Sequence, residues 1–276
     1  MKSESHLIAG PWVGEFGWEL FAWQAYIRSL SEHYDKTTII CRESSRALYM
    51  DFASQFLHYE PSGRLSDSFF MHGLDLDQVL KNVLMENKDI LKGQVSILKP
   101  RRVGNPPFTN YDTAIRLGSH DVVPKYITFG NLGEKKYDYV FHIRQRKLRE
   151  QDNWKIEEWQ KLYDLLTSDG SSVVCIGTKK DSGVISGAVD MRNADLQDIF
   201  DVLRNTTCAF GPSSGPMHLA SLCKARHIVW GSRKLSLDRY EITWNPHRTP
   251  VLFADKYSWH PSADYIYQRY LKFNLK

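Results

Sequence analysis

The chain has 276 residues, with 36 Lys and Arg against 32 Asp and Glu, which gives a formal net charge of +4. Its 42% hydrophobic and 25% charged residues exclude a disordered or fibrous protein. The length predicts two modest domains or one large domain. No stretch is apolar over the ~20 residues that a transmembrane helix needs, so no membrane span is predicted.

The N-terminus and the cysteines indicate a cytoplasmic protein. The first ten residues lack the charged and then apolar layout of a signal peptide. The four cysteines are widely spaced, with no CxxC pair, and three lie in or beside apolar runs, as small buried residues do in a reducing compartment. We therefore expect no zinc site and no disulfide framework.

Apolar, β-branched runs alternate with helical patterns along the chain, which predicts an α/β protein with parallel sheets. Residues 6–13 are predicted as the first strand. The next helix has an apolar face made by Phe16, Leu20, Trp23, Ile27 and Leu30. Further elements predicted in this half are a strand at 37–41, a helix capped by Ser44 and reaching about Phe52, and a helix near 76–92.

A Pro- and Gly-rich segment at 99–107 separates this half from the next. We place the domain boundary between about 100 and 135, with an N-terminal domain at 1–125 and a C-terminal domain at 126–260. The elements predicted after it are strands at 137–143, 172–177, 207–211, 227–231 and 250–254, and helices at 157–166, 195–204 (with Asp195 as its N-cap), 216–222 and 261–273.

The segment 208–223 carries the strongest chemical signal. A buried strand ends at Gly211-Pro212, two serines and a glycine follow, and a helix begins. This order leaves the backbone N–H groups of Ser214, Gly215 and Met217 unpaired at a positive helix terminus, a ready site for a phosphate. His218 could donate a further hydrogen bond to an anion. The alternative is a helix capped by Ser214, with His218 packing.

This segment, GPSSGPMHLASL, resembles the motif of the heptosyltransferase-like glycosyltransferases (family 9). The resemblance implies the α/β GT-B fold, two Rossmann-like domains facing across a cleft, with the donor diphosphate on this motif. Residues 261–276 would then pack back on the N-terminal domain. Ser213 stands where the family usually has Asp, so that carboxylate is absent or supplied elsewhere. The matching positions are Ser214, Gly215, Pro216, Met217, His218 and Ala220.

The segment 10–23 resembles the family's opening strand, glycine turn and helix, where an acidic residue faces the cleft. That position is Glu15, between the permissive backbones of Gly14 and Gly17. A carboxylate there could take the proton of an acceptor hydroxyl in an inverting displacement. The alternative is an acidic residue that complements the helix dipole. Glu19 is the second candidate base, or equally a surface residue.

Other candidate site residues come from loops and aromatic positions. Trp12 and Trp18 bracket the glycine turn, and their rings could stack on an acceptor sugar, although most such tryptophans are core. Arg144 and Arg146 follow the strand at 137–143 and could pair with a leaving diphosphate; the alternative is a solvated basic loop. Two further donor-site candidates, at the ends of neighbouring strands, are Lys179 and Asp190.

Asp75-Leu76-Asp77 is a D-x-D sequence, the metal motif of a different glycosyltransferase fold. It precedes an amphipathic helical run, where Asp77 serves as a cap. With so many aspartates in the chain a chance match is expected, so we reject a metal site here.

The resemblance implies a metal-independent, inverting glycosyltransferase that needs no cofactor and uses a nucleoside-diphosphate sugar and a saccharide acceptor. One alternative acceptor is hydroxymethylated duplex DNA, because paired basic residues are scattered along the chain. Another alternative is a nucleotide-sugar binder without transfer, or a GT-B epimerase. The basic pairs are Arg101-Arg102, Lys135-Lys136, Lys179-Lys180 and Arg233-Lys234.

Overall fold

The computed structural model describes residues 5–61, 75–100, 122–147, 149–231, 237–255 and 258–275. The chain divides into two units, Met1–Tyr126 and Ile127–Lys276. Each unit has its own parallel sheet with helices around it. Within the described ranges, no helix is long and apolar enough to cross a bilayer.

The first unit has a sheet of four parallel strands. They are β1 (Ser5–Ala9), β2 (Lys36–Cys41), β3 (Gln55–His58) and β4 (Gln94–Leu98). Their order in the sheet is β3-β2-β1-β4. The inner strand β1 ends where Gly10 takes a φ of +118°. A Cβ at this position would lie 2.2 Å from the Ile40 carbonyl oxygen, so only glycine fits.

The helices of this unit are more broken than the sequence pattern predicts. The apolar stripe from Phe16 to Leu30 is interrupted by a π-helical turn, so side chains that a regular helix would place on one face change direction there. The elements are α1 (Phe16–Trp18), a π turn (Glu19–Trp23), α2 (Gln24–Ser31), α3 (Leu76–Glu86), and 3₁₀ turns at Glu43–Leu48 and Lys88–Leu91.

Three details of the first unit correct the sequence interpretation. The strands β3 and β4 were not predicted, because most of their residues are only partly buried and so form no continuous apolar run. Ser44 does not cap a helix, since Arg42 holds the N-cap position of the 3₁₀ turn. Helix α3 is capped by Asp75 and not by Asp77: the Asp75 side chain accepts the backbone N–H groups of Asp77 and Gln78.

The second unit has a sheet of six parallel strands. They are β5 (Tyr139–Phe141), β6 (Val173–Cys175), β7 (Val189–Asp190), β8 (Cys208–Pro212), β9 (His227–Trp230) and β10 (Val251–Asp255). Their order in the sheet is β10-β9-β8-β5-β6-β7. Strand β5 is central, and the next two strands lie on one side of it while the last three lie on the other. This is the doubly wound order of dinucleotide-binding folds.

Four α-helices of the second unit lie close to their predicted ranges. These helices are α4 (Ile156–Thr167), α5 (Leu196–Arg204), α6 (Gly215–Leu222) and α7 (Ala263–Asn274). Helix α5 begins after Asp195, which holds the N-cap position without a side-chain hydrogen bond. The buried face of α7 belongs to the core of the second unit, through Ala263, Ile266 and Tyr270. Its packing against the N-terminal domain stays a prediction.

Candidate functional site

The topological switch point of the second unit lies between β5 and β8. Strand β5 pairs with β6 on one side and with β8 on the other, so the connections leave in opposite directions. Doubly wound sheets bind their ligands at this point, outside the carboxyl ends of the strands. The segment 213–218 follows β8 here, which places the predicted phosphate motif at the switch point.

The first turn of α6 offers two backbone donors. Ser214 is the N-cap residue with an extended backbone. Its N–H donates to the Tyr240 hydroxyl at 3.0 Å, and that hydroxyl donates back to the Ser214 carbonyl at 3.1 Å. The expectation of a free Ser214 N–H is therefore wrong. The N–H groups of Gly215 and Met217 find no acceptor within the described ranges, as helix geometry requires of a first turn.

The Ser214 side chain does not cap the helix either. Its Oγ is buried and has no hydrogen-bond partner in the described part of the chain. A buried hydroxyl without a partner costs free energy. Together with the N–H groups of Gly215 and Met217, it provides hydrogen-bonding capacity that an anionic ligand would satisfy.

His218 lies within an aromatic cluster. Its ring stacks on Tyr240, with centroids 4.0 Å apart, and meets Trp244 edge-on at 4.7 Å. The residue is 6% exposed. Burial, and after it the charge of Arg239, holds the pKa of His218 well below 6.5. Burial therefore favours the uncharged imidazole, which can donate a hydrogen bond from one ring N–H.

His142 follows β5 directly and lies between two glycines at the strand ends. Its Nδ1 is 3.4 Å from the Ile176 carbonyl oxygen, and burial lowers its pKa to about 4. A Cβ on Gly177 would come within 3.1 Å of this ring, and a Cβ on Gly211 would come within 2.7 Å of Met217 Sδ. These glycines keep the carboxyl ends of β6 and β8 close to the histidine.

Arg144 is not the open basic side chain that the sequence suggested. It is 4% exposed, forms an ion pair with Asp152 at 3.4 Å and lies over the ring of Trp259, 5.1 Å from its centroid. Arg146 exchanges hydrogen bonds with Asn153 through its backbone N–H and carbonyl. The loop is thus held to its own unit, and pairing of either guanidinium with a diphosphate stays a prediction.

Lys179 and Asp190 lie at the edge of the same sheet. Lys179 is exposed, and its backbone N–H donates to Asn193 Oδ1 at 2.9 Å. Asp190 is engaged by Arg192, whose Nε and Nη2 each lie 2.8 Å from its carboxylate oxygens. These hydrogen bonds hold the pKa of Asp190 well below its usual value. Asp190 would have to give up this pair to bind a nucleoside.

The first unit has its own switch point, between β1 and β4. The chain leaves β1 through Gly10 and forms a turn that ends at α1, and Glu15 is the N-cap residue of that helix. The Glu15 carbonyl accepts the backbone N–H groups of Trp18 and Glu19, both at 3.1 Å, and the Trp12 indole N–H at 3.3 Å. The Glu15 side chain is half-buried, as expected of a group presented at the tip of a turn.

Glu19 is a buried carboxylate, which corrects the surface alternative. It is 1% exposed and accepts hydrogen bonds from Tyr49 Oη at 2.8 Å and Ser45 Oγ at 3.0 Å. Arg42 Nη2 is 3.9 Å from its Oε2. Burial raises the pKa of Glu19, while Arg42 and the hydroxyl donors oppose that rise. Its oxygens are fully engaged, so it is not placed to receive an acceptor's proton.

The two tryptophans of the turn are core residues. Trp12 is 2% exposed and packs on Trp23 with ring centroids 5.9 Å apart. Trp18 is also buried, on α1 beside Gly17. Stacking of either ring on a sugar is therefore not supported. The ring of Trp12 lies against Gly14, where a Cβ would come within 2.9 Å of it, so this glycine allows the turn to close.

The described residues contain no group of three His, Cys, Asp or Glu side chains that could hold a metal ion. Both aspartates of the D-x-D sequence have partners within the protein: Asp75 caps α3 and Asp77 pairs with Lys99. All four cysteines are buried and unpaired with one another.

Sequence inspection did not find three residues that shape the candidate phosphate site. His142 was overlooked beside the more conspicuous arginines, although a histidine at the end of a buried strand is itself a signal. Tyr240 and Trp244 reach the first turn of α6 from a π-helical turn at Arg239–Thr243. No local sequence pattern indicates this contact, because Tyr240 and Trp244 lie more than twenty residues after the motif.

Comparison with solved structures identifies the fold. No family model matches the chain, and no curated protein matches it by sequence. The family 9 glycosyltransferase from Veillonella parvula is similar over 100% of this chain and 98% of its own, with 12% identity and a TM-score of 0.64. Escherichia coli ADP-heptose heptosyltransferase II is similar over 100% and 99%, with 13% identity and a TM-score of 0.59.

A third structure, the E. coli heptosyltransferase WaaC with ADP, is similar over 98% of this chain and 99% of its own, with 11% identity and a TM-score of 0.58. The resemblance noted in the sequence therefore extends to the fold of the whole chain. The chain has the α/β GT-B fold and is similar in structure to the family 9 heptosyltransferases.

Proposed function

We propose that this protein is a glycosyltransferase that transfers a sugar from a nucleoside-diphosphate sugar to a hydroxyl group of a saccharide. The observation that carries the proposal is the start of α6 at the switch point of the second unit. Two N–H groups and the buried Ser214 Oγ lie there without hydrogen-bond partners in the described part of the chain. A diphosphate supplies the oxygens that these donors lack.

The chemistry follows from where negative charge develops. In transfer, the bond between the anomeric carbon and the diphosphate oxygen breaks, and the electron pair stays with the leaving diphosphate. Fixed N–H groups at a helix N-terminus stabilise that charge without reorganising. The neutral His218 can add a hydrogen bond from one ring nitrogen. We expect no metal requirement, and Ser213 is expected to line the same turn.

The acceptor hydroxyl must lose a proton as it attacks the anomeric carbon. Glu15 is the proposed general base, because the turn after β1 presents it half-buried at the switch point of its own unit. Attack and departure on opposite faces would invert the configuration at the anomeric carbon. Glu19 is set aside as a base because Tyr49, Ser45 and Arg42 already surround its carboxylate.

No observation favours a DNA acceptor. Of the four basic pairs, Arg101-Arg102 and Arg233-Lys234 lie outside the described residues. Lys135 is engaged by Asp138, so the described pairs do not form an evident track for a phosphate backbone. The saccharide acceptor is therefore the one proposed.

The test begins with thermal shifts for UDP, GDP, ADP, CMP and TDP, each with magnesium and with EDTA. A ligand at about 100 times its Kd adds roughly 2.7 kcal/mol of stability, a shift of several degrees for a protein of this size. We expect one diphosphate to stabilise the protein, with and without EDTA. Mass spectrometry of sugar acceptors incubated with the matching nucleotide-sugar then detects transfer.

The outcomes separate the candidate functions. Stabilisation with transfer to a saccharide supports the proposal. Stabilisation with a changed sugar but no transferred product indicates an epimerase, and stabilisation with neither indicates a binding protein. If no diphosphate stabilises the protein, the phosphate site at α6 is wrong.

A further inference from the structure

One group of polar side chains in the first unit is connected to the turn that carries Glu15. It consists of Glu19, Arg42, Ser45 and Tyr49. Burying the Glu19 carboxylate and most of the Arg42 side chain costs desolvation energy, and an apolar cluster of similar volume is often as stable or more stable. Stability alone therefore does not account for this cluster.

The first connection between the cluster and the turn is a side-chain hydrogen bond from Arg42. Arg42 Nη2 donates to the Gly14 carbonyl at 2.9 Å and lies 3.9 Å from Glu19 Oε2. The guanidinium thus joins the buried carboxylate to the residue that immediately precedes Glu15. Glu19 is fixed in turn by the hydroxyl groups of Ser45 and Tyr49.

The second connection runs through the backbone. Glu19 is the first residue of the π turn, and its own N–H donates to the Glu15 carbonyl at 3.1 Å. The Glu15 peptide is therefore held on one side by the backbone of Glu19, while Gly14 is held by Arg42. A π-helical turn at this position is consistent with a functional demand, since such turns are frequent at functional sites.

We infer that Glu19 and Arg42 are positioning residues: the buried pair fixes the Gly14–Gly17 turn and thereby sets the direction of the Glu15 carboxylate. This inference rests on the proposed function for the role of Glu15, but the positioning itself is a property of the first unit. Neither residue would touch the sugar.

The experiment compares Glu19→Gln and Arg42→Lys with a matched control, Arg28→Lys, in the full chain. Arg28 is another arginine of the same unit, itself buried, and it is bonded to Asp51 and to the Leu48 carbonyl, both outside the turn. Hydrogen–deuterium exchange of residues 12–18 measures how firmly the turn is held, and needs no substrate. Steady-state kinetics measure kcat and the donor KM.

We expect both test variants to speed exchange of the turn about 10-fold, as loss of one charged hydrogen bond implies, whereas Arg28→Lys leaves it unchanged. We expect kcat to fall about 10- to 100-fold with the donor KM unchanged, because misplacing a reacting group has effects of that size. If exchange of the turn is the same as in the control, the positioning role is overturned.

Faster exchange with an unchanged kcat would likewise overturn the link to Glu15. A wild-type protein that binds no diphosphate and transfers no sugar would instead refute the proposed function, and the exchange measurement would still decide whether the pair holds the turn. If one variant unfolds, the other carries the test, since each removes one half of the same pair.

Discussion

Two turns in this molecule occupy equivalent places, and they are held in opposite ways. The turn after β1 is fixed by a buried charged cluster, in which Arg42 joins Glu19 to the Gly14 carbonyl. The turn after β8 is fixed by aromatic packing and a neutral hydroxyl, since Tyr240 bonds both backbone groups of Ser214 and stacks on His218.

The difference matches the chemistry proposed for each turn. A turn that presents a carboxylate benefits from charges that fix its backbone. A turn that receives a diphosphate benefits from N–H groups at a helix terminus, with a neutral imidazole beside them. In the proposed function the same sheet position therefore serves opposite electrostatic purposes, and each can be tested separately.

The largest expected effect is on catalysis at the first turn. Glu15→Gln keeps the size of the side chain but removes the proposed proton acceptor. We expect kcat to fall by a factor on the order of 10²–10⁴, with donor affinity unchanged. Glu43→Gln is the control, because Glu43 belongs to the same unit and pairs with the exposed Arg46. Unchanged turnover in Glu15→Gln would remove Glu15 as the base.

The next effect is on the pH dependence of stability, to which the buried histidines of the second unit and Glu19 of the first unit contribute with opposite sign. Burial lowers the pKa of His142 and His227 to about 4, and that of His218 well below 6.5. The unfolded chain therefore binds protons first, and stability falls as the pH drops from above 6.5 toward 4. His142 and His227 each contribute about 3 kcal/mol to this loss. Glu19 has the opposite sign: its raised pKa costs stability as the pH rises above 4.5.

Urea unfolding at pH 7 and pH 4.5 measures this effect in His227→Gln. We expect the variant to lose less of its unfolding free energy between the two pH values than the wild type loses. The control is His260→Gln, which removes an imidazole from an exposed position. An unchanged pH dependence in His227→Gln would show that this histidine is not buried neutral.

The third prediction removes one N–H donor from the second turn. Gly215→Pro deletes the N–H at the first residue of α6, a position that proline favours. We expect the Kd for the preferred nucleoside diphosphate to rise about 10-fold, which corresponds to one hydrogen bond to a charged group. Gly215→Ala adds a Cβ but keeps the N–H, so it is the matched control. Equal losses in both variants would mean that space, and not the N–H, limits binding.

The smallest effect concerns the D-x-D sequence. Asp75→Ala removes the cap of α3 and should lower the unfolding free energy by about 1 kcal/mol. We expect kcat and its response to EDTA to stay as in the wild type, because Asp75 accepts two backbone N–H groups. A large loss of kcat with only a small loss of stability would reopen the metal interpretation.

The sequence by itself determined the α/β fold class, the strand and helix on either side of the proposed phosphate motif, and the glycine turn. These features are local: apolar, β-branched runs specify buried parallel strands, and a glycine with serines after a strand specifies the start of a helix. Asp195 at its N-cap position and the start of α6 near Ser214 follow from the same local rules.

Only the tertiary structure decided which polar groups are already engaged. Nothing local to Arg144 indicates that Asp152 and Trp259 enclose it, nor that Tyr240 takes the Ser214 N–H from a turn far along the chain. The sequence is equally compatible with Glu19 as a surface residue, because its hydrogen-bond donors Ser45 and Tyr49 reach it only through the fold. Side-chain contacts between distant elements depend on the packing of the whole unit, which a periodicity along the chain does not encode.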